Sequence, residues 1–119
     1  MRFVLSVLAG AAMLVAAFLI SEASAETTTN RLTVYLDRGV MYSGYQTHWG
    51  AAACSWGYPL GTQLMLPDGF VVTCLDRGML GGGMGWIDIW CPDWATARWM
   101  QHHYGDWTTA TIVRWGWGT

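Results

Sequence analysis

A long apolar run, residues 3–20, fills most of the first 25 residues and decides how much of the chain is left to form a domain. It follows a single charge at Arg2 and ends in a polar stretch closed by the small residues 23–25 (Ala-Ser-Ala). This order of a charged, an apolar and a small-residue segment is typical of a secretory signal peptide. Residues 1–25 are therefore predicted to be a signal peptide that is cleaved before Glu26.

The alternative is an uncleaved membrane anchor, because the apolar run is long for a signal. Gly10 interrupts the run and the polar pair 21–22 closes it, which favours cleavage. Export places the protein in a bacterial periplasm or outside the cell, with no membrane attachment after cleavage. We expect a short disordered leader at 26–30 and one small domain at 31–119, which we take to be a monomer.

The net charge argues against nucleic acid as a partner, and the aromatic content is compatible with sugar binding. The formal net charge is −2, and losing Arg2 and Glu22 with the signal leaves it unchanged, so nucleic acid is not an expected partner. All nine tryptophans and all five tyrosines follow residue 25. They could compensate for the small core of a short chain, or they could provide flat apolar surfaces for sugar rings.

The chain has three cysteines, Cys54, Cys74 and Cys91. Thiols of exported proteins tend to oxidise, so an intramolecular disulfide is expected. Three cysteines allow three single pairings and leave one thiol over, and their spacing alone leaves the choice open.

Short β-type runs separated by glycine and proline turns dominate the rest of the chain. A Pro-Asp-Gly turn at 67–69 joins two of these runs in a predicted hairpin. One helix is predicted at 93–104, with Asp93 as its N-cap and Gly105 just after its end. Residues 77–85 are too rich in glycine for regular structure. The pattern indicates a small, mainly β barrel with one short helix, with strands at 31–37, 61–66, 70–75, 86–91 and 109–115.

The tetrapeptide Leu-Asp-Arg-Gly occurs twice, at 36–39 and at 75–78. Each copy follows an apolar β-type run. A barrel built from two similar halves would give this pattern, although four matching residues could also arise by chance.

A larger set of motifs runs from Tyr58-Pro-Leu-Gly-Thr through Asp76-Arg-Gly and the glycine-rich segment to Gly85-Trp-Ile-Asp-Ile-Trp. This ordered set resembles the three-aspartate (3D) domain, a double-psi β-barrel found in membrane-bound lytic transglycosylase A and in cell-wall proteins. Rare lipoprotein A and expansin barrels carry Asp-Arg-Gly at the second motif, as this chain does. The resemblance spans about residues 42–114 and implies a six-stranded double-psi β-barrel with one short helix.

The chain departs from the family pattern at one acid. The family's first aspartate lies five residues before the motif proline, and Cys54 stands there in this sequence. In such a barrel Cys74 would lie on a neighbouring strand. The resemblance therefore implies a Cys54–Cys74 disulfide, with Cys91 as the free thiol.

Two aspartates are the candidate catalytic residues. Alternation along 86–91 places Asp88 between Trp86 and Trp90 on one face, and desolvation by the indoles would raise its pKa, as a proton donor requires. Asp76 corresponds by resemblance to the acid that donates and accepts the proton in the transglycosylase. Either aspartate could instead order its loop through backbone hydrogen bonds. Trp86, Trp90, Arg77 and Tyr42 are the candidate substrate-binding residues.

Other site types fit the sequence poorly. Neighbouring histidines on a helix, His102 and His103, point about 100° apart and cannot easily share a metal ion, so no metal or other cofactor is expected. The predicted function is a secreted domain that acts on peptidoglycan glycan strands, with a transglycosylase-like reaction at an aspartate. The alternatives are a non-catalytic, expansin-like polysaccharide-binding module and a disulfide-stabilised partner-binding domain.

Overall fold

The computed structural model describes residues 26–78 and 83–118, so the predicted signal peptide and its cleavage site lie outside the described residues. The described chain forms six strands and one helix. In chain order these are β1 (Thr27–Tyr35), β2 (Ala51–Cys54), β3 (Gln63–Met65), β4 (Val71–Asp76), β5 (Trp86–Trp90), α1 (Trp94–Tyr104) and β6 (Trp107–Arg114). Among the described residues, no helix has the length and apolar character needed to span a bilayer.

The six strands form one mixed sheet that closes on itself in the order β1-β5-β2-β4-β3-β6. Two pairs, β1 with β5 and β2 with β4, are parallel. The other four pairs are antiparallel, and β6 closes the ring against β1. The prediction of a mainly β fold with one short helix is confirmed, and the predicted hairpin is the β3–β4 pair.

The strand order has an internal two-fold relationship. Exchanging β1 with β4, β2 with β5 and β3 with β6 leaves both the order and the direction of every pairing unchanged. The repeated Leu-Asp-Arg-Gly segments, 36–39 and 75–78, lie at the ends of the two exchanged strands β1 and β4. The topology thus agrees with the interpretation that the chain consists of two similar halves.

The core lies inside the closed sheet and is filled by alternate residues of the strands. Leu32, Val72, Ile87 and Ile89 are completely buried there. The predicted disulfide between Cys54 and Cys74 is confirmed; it joins the neighbouring strands β2 and β4 with a Cα–Cα distance of 5.5 Å. Cys91 is free and buried.

The expected disordered leader at 26–30 is not found, because most of it belongs to β1. Thr27 to Arg31 pair in register with Thr111 to Trp107 of β6. Asn30 is completely buried. Its side-chain N–H donates a hydrogen bond to Thr28 Oγ1, and its side-chain oxygen accepts one from Tyr58 Oη. The polar residues 26–30 gave no hydrophobic pattern from which a strand could be predicted. They can nevertheless form one, because their buried polar groups are hydrogen-bonded to one another.

The helix α1 has the predicted caps. Asp93 accepts a hydrogen bond from Thr96 N at 2.7 Å, and Gly105 ends the helix with a positive φ of 77°. Ala97 and Met100 pack into the core. The helix also contacts the β3–β4 turn, since Tyr104 Oη donates to Asp68 at 2.7 Å.

Candidate functional site

Asp76 and Asp88 lie on either side of Ala53. The short strand β2 runs between β4 and β5, and Ala53 pairs with Asp76 on one side and with Asp88 on the other. Paired residues on adjacent strands point to the same side of a sheet, and strands lie about 4.8 Å apart, so the two aspartate Cα atoms are separated by roughly 10 Å. The side chain between the two carboxyl groups is a single methyl group.

An irregularity in β4 turns Asp76 to this side. The pairing moves from Ala52 with Cys74 directly to Ala53 with Asp76, so Leu75 is an extra residue on β4. In a regular strand Asp76 would share the inward face of Cys74. The bulge moves Asp76 to the outer side of the sheet, where Asp88 also lies.

Asp88 lies in a desolvated environment. It pairs with Thr33 of β1, and Thr33 Oγ1 donates a hydrogen bond to its carboxyl group at 2.9 Å while accepting one from Trp86 Nε1 at 2.9 Å. Burial raises the pKa of Asp88 to about 6, the Thr33 hydrogen bond opposes the shift, and the negative charges of Asp76 and Asp37 add to it. Asp88 therefore holds a proton at mildly acidic pH.

Asp76 is held by three hydrogen-bond donors. Tyr35 Oη donates to one carboxyl oxygen at 3.0 Å, and the backbone N–H groups of Tyr42 and Arg77 donate to the other at 2.9 Å each. Burial and the negative charge of Asp76 raise the pKa of Tyr35, so its hydroxyl remains a donor. These contacts fix the position of the Asp76 carboxyl group.

Both aspartates line one groove of about 220 Å³, which we call the acid groove. The two copies of the repeated tetrapeptide meet there, since Asp37, Arg38 and Gly39 line it together with Asp76, Arg77 and Gly78. Asp37 was absent from the candidates drawn from the sequence. The repeat itself was the signal that could have identified it.

The two predicted tryptophans differ in exposure. Trp86 is half-buried, and the Arg31 guanidinium lies over its ring at 4.9 Å. Trp90 is only 4% exposed, and its Nε1 donates to the backbone oxygen of Asp37 at 3.0 Å. With Arg38 also over its ring, Trp90 supports the Asp37 segment and leaves no open face for a sugar.

Arg77 and Tyr42 lie together at one end of the acid groove. Arg77 donates from one guanidinium nitrogen to the backbone oxygens of Cys54 and Ser55, at 3.1 and 3.2 Å. Its guanidinium lies 4.8 Å from the ring centre of Trp56, and exposed Tyr42 contacts that ring edge-on. Trp56, an exposed aromatic residue that was not a candidate from the sequence, thus contacts both candidates, Arg77 and Tyr42.

A second cavity adjoins this end of the groove. It has a volume of about 380 Å³, and we call it the tryptophan pocket. Arg77 lines both cavities and so forms their shared wall. The remaining lining residues of the tryptophan pocket are Trp56, Pro59, Gly116, Trp117 and Gly118.

The histidines of α1 lie away from these cavities. His103 Nε2 lies 3.1 Å from an Asp68 carboxyl oxygen at the β3–β4 turn, and its ring stacks on Trp99. Within residues 26–78 and 83–118, no group of three or more histidine, cysteine or acidic side chains is arranged to hold a metal ion. The contacts of His103 join α1 to the sheet.

Comparison with protein-family models, with curated proteins and with solved structures finds no match for this chain. The resemblance to three-aspartate domains therefore rests on the sequence motifs quoted above.

Proposed function

We propose that this protein is exported and cleaves peptidoglycan glycan strands in a lytic transglycosylase reaction, with Asp76 and Asp88 as its catalytic residues. The observation that carries this proposal is the placement of the two carboxyl groups on one side of the sheet, with only Ala53 between them. Reactions at glycosidic bonds commonly use such a pair of carboxyl groups, one on each side of the bond to be broken.

The proposed double-psi β-barrel is supported by the strand order. Two parallel pairs, β1/β5 and β2/β4, lie next to each other in a closed six-stranded sheet and are exchanged by the internal two-fold relationship. The Asp-Arg-Gly motif at β4 and the Asp88 motif on β5 both lie beside β2, so two of the motifs that carry the family resemblance meet at one place.

The proposed reaction needs no activated water. One carboxylic acid protonates the oxygen of the glycosidic bond as the bond to the anomeric carbon breaks. The C6 hydroxyl of the same sugar attacks the anomeric carbon and gives its proton to the resulting carboxylate. The products are a 1,6-anhydro sugar and a new free hydroxyl on the other fragment, and the acid is regenerated.

Asp88 is the better candidate for the proton donor. Its pKa is raised to about 6 by burial, so it carries a proton in mildly acidic conditions. Asp76 receives three hydrogen bonds, which suits a fixed group that stabilises positive charge at the anomeric carbon. This assignment exchanges the roles that the family resemblance implies for the two residues.

The second candidate function is a non-catalytic polysaccharide-binding module of the expansin type. It is favoured by the exposed aromatic rings of Tyr42, Trp56 and Trp117, which lie at the end of the acid groove and around the tryptophan pocket. Such rings stack on sugars without any need for an acid.

The test is to express the full chain, purify the exported protein and incubate it with peptidoglycan. Mass spectrometry should detect 1,6-anhydro sugars among the released products. The Asp76→Asn and Asp88→Asn variants should release these sugars about 100-fold more slowly, or slower still, while binding the glycan as the wild type does. Their melting temperatures and intact disulfide serve as controls for folding.

The outcomes separate the two functions. Binding of peptidoglycan by the wild-type protein with no released product would overturn the transglycosylase and support the binding module. Release of reducing sugars without the anhydro form would replace the proposed reaction with hydrolysis. Wild-type protein that neither binds nor cleaves would reject both functions.

A further inference from the structure

Trp117 lies close to the carboxyl end of the chain but is firmly held. Its backbone N–H donates to Leu60 O at 2.8 Å, and Leu60 N donates to Gly118 O at 2.6 Å. Gly116 N donates to Thr62 Oγ1 at 3.0 Å, and this hydroxyl donates to Pro59 O at 2.7 Å. The segment around Trp117 is therefore bound to residues 59–62 along its length.

The glycine of the Pro-Leu-Gly-Thr motif makes this arrangement possible. Gly61 has a positive φ of 87°, which favours glycine, and a Cβ atom at this position would overlap the six-membered ring of Trp117. One face of the indole therefore lies directly on backbone. The side chain is nevertheless 64% exposed, so much of its ring faces solvent from a fixed position.

The surroundings of Trp117 fit a sugar ring. The tryptophan pocket holds about 380 Å³, which is in the range of small-molecule sites. Trp56 and Trp117 supply aromatic surface, and Gly116 and Gly118 add no side chain that would obstruct it. Aromatic rings that are fixed before binding contribute affinity at little cost in conformational entropy.

The neighbouring acid groove indicates which ligand could enter the pocket. Arg77 lines both cavities, so a glycan chain that lies against Asp76 and Asp88 and extends past Arg77 would reach the tryptophan pocket. Among the described residues that line the tryptophan pocket, only Arg77 is charged, and its guanidinium can donate hydrogen bonds to ligand oxygens at this junction.

We propose that the tryptophan pocket is a sugar-binding subsite, in which Trp117 stacks on a pyranose ring of the glycan chain that lies between Asp76 and Asp88. The proposal rests on the glycan-directed function above and adds a binding residue, Trp117, outside the acid groove. The subsite sets which bond of the chain lies at the two acids.

The experiment is calorimetric titration of the exported protein with the hexamer of N-acetylglucosamine. Trp117→Ala should weaken binding by about tenfold or more, as loss of a central aromatic contact does at other binding sites. Trp117→Phe, which keeps an aromatic ring, should weaken it less. Trp107→Ala is the matched control, because Trp107 is also 64% exposed but does not line the pocket, and it should bind as the wild type does. Equal binding by Trp117→Ala and Trp107→Ala would overturn the subsite.

A second measurement, by NMR, uses the wild-type protein and so does not depend on whether a variant folds. In the wild-type protein, the indole N–H resonance of Trp117 should shift as the hexamer is added, and that of Trp107 should stay in place. Absence of a Trp117 shift at saturating hexamer would reject the proposal. If Trp117 shifts but no anhydro sugar is released from peptidoglycan, the subsite stands and the catalytic proposal fails. If cleavage occurs and Trp117→Ala changes neither its rate nor its products, the subsite fails and the catalytic proposal stands.

Discussion

Asp37 and Asp76 are the second residues of the two Leu-Asp-Arg-Gly segments, and both line the acid groove. Asp37 lies two residues beyond the end of β1, and Asp76 is the last residue of β4. In the three-aspartate pattern that the sequence resembles, the first aspartate stands where this chain has Cys54, whose side chain forms the disulfide. Together with Asp88, the groove nevertheless contains three carboxyl groups, and the third comes from the repeat.

The pH dependence of cleavage should identify the proton donor. Since burial raises the pKa of Asp88 to about 6, the wild-type rate should fall as pH rises through about 6. Asp88→Asn should lower the rate by roughly 10²- to 10⁴-fold and abolish this dependence. In Asp76→Asn, residual activity should keep the decline but at lower pH, because a neighbouring negative charge is gone. Release of anhydro sugars between pH 4 and 8 measures this, and a decline that persists in Asp88→Asn would assign the proton to another group.

The same carboxyl group should affect stability. Folded Asp88 binds its proton more tightly than an unfolded aspartate with a pKa of 3.8. Its contribution to the free energy of unfolding therefore falls as pH rises from about 4 to 6 and is constant above that, by at most about 3 kcal/mol in all. Urea unfolding of the wild type and Asp88→Asn at pH 4 and pH 7 measures the difference. A gap between the two proteins that does not change with pH would show that Asp88 titrates normally.

The space above Ala53 should be essential for cleavage. Ala53→Val adds two methyl groups between Asp76 and Asp88 and should reduce glycan cleavage strongly by excluding the sugar. Ala53→Ser, which adds a single oxygen, is the control and should retain most activity. The melting temperature of both variants shows whether the sheet remains intact. Full activity in folded Ala53→Val would mean that the substrate does not lie between the two acids.

The disulfide should contribute substantially to stability. Cys54 and Cys74 are 20 residues apart, and closing a loop of this length stabilises a folded chain by about 3 kcal/mol in the chain-entropy model. The Cys54→Ala/Cys74→Ala double variant should lose about this much in urea unfolding. Iodoacetamide should label Cys91 only after unfolding, because the thiol is buried and its pKa is raised to about 11. A non-reducing peptide map that links Cys91 to another cysteine would contradict the pairing.

The mature protein should begin at Glu26. Its backbone oxygen accepts a hydrogen bond from Ile112 N at 2.9 Å, so cleavage after Ala25 removes the signal and leaves β1 complete. Mass spectrometry of the exported protein should identify Glu26 as its first residue. A protein that retains Met1 in the membrane fraction would instead be anchored.

The hairpin and the helix were correctly predicted, because each is marked by residues in its own turn or at its own ends. The hairpin was indicated by its Pro-Asp-Gly turn, and the helix by Asp93 and Gly105 at its ends. The strand β2 gave no such signal, because alanine has low β propensity. Its residues Ala51–Cys54 are extended because β4 and β5 pair with them on both sides, and all four are buried.

The candidate site was predictable in part. Alternation along β5 predicted that Asp88 shares a face with Trp86, and the resemblance to three-aspartate domains implied Asp76 as a candidate. Neither pattern indicated that the carboxyl groups would flank Ala53, since this depends on pairings between strands far apart in the sequence. The burial of Trp90 was likewise unpredictable, because the residues that cover it come from the end of β1.

The extra residue in β4 fixes the side of the sheet on which Asp76 lies, and Leu75 itself packs against Met41 and Ala51. If the same chain paired without the bulge, Leu75 would lie opposite Ala53 and the carboxyl group of Asp76 would face the core with Cys74. Deleting Leu75 would instead make Asp76 the direct neighbour of Cys74 and leave its carboxyl group on the outer face. A homologue that keeps the acid groove can therefore have this bulge or a β4 that is one residue shorter, but not a full-length β4 in regular pairing.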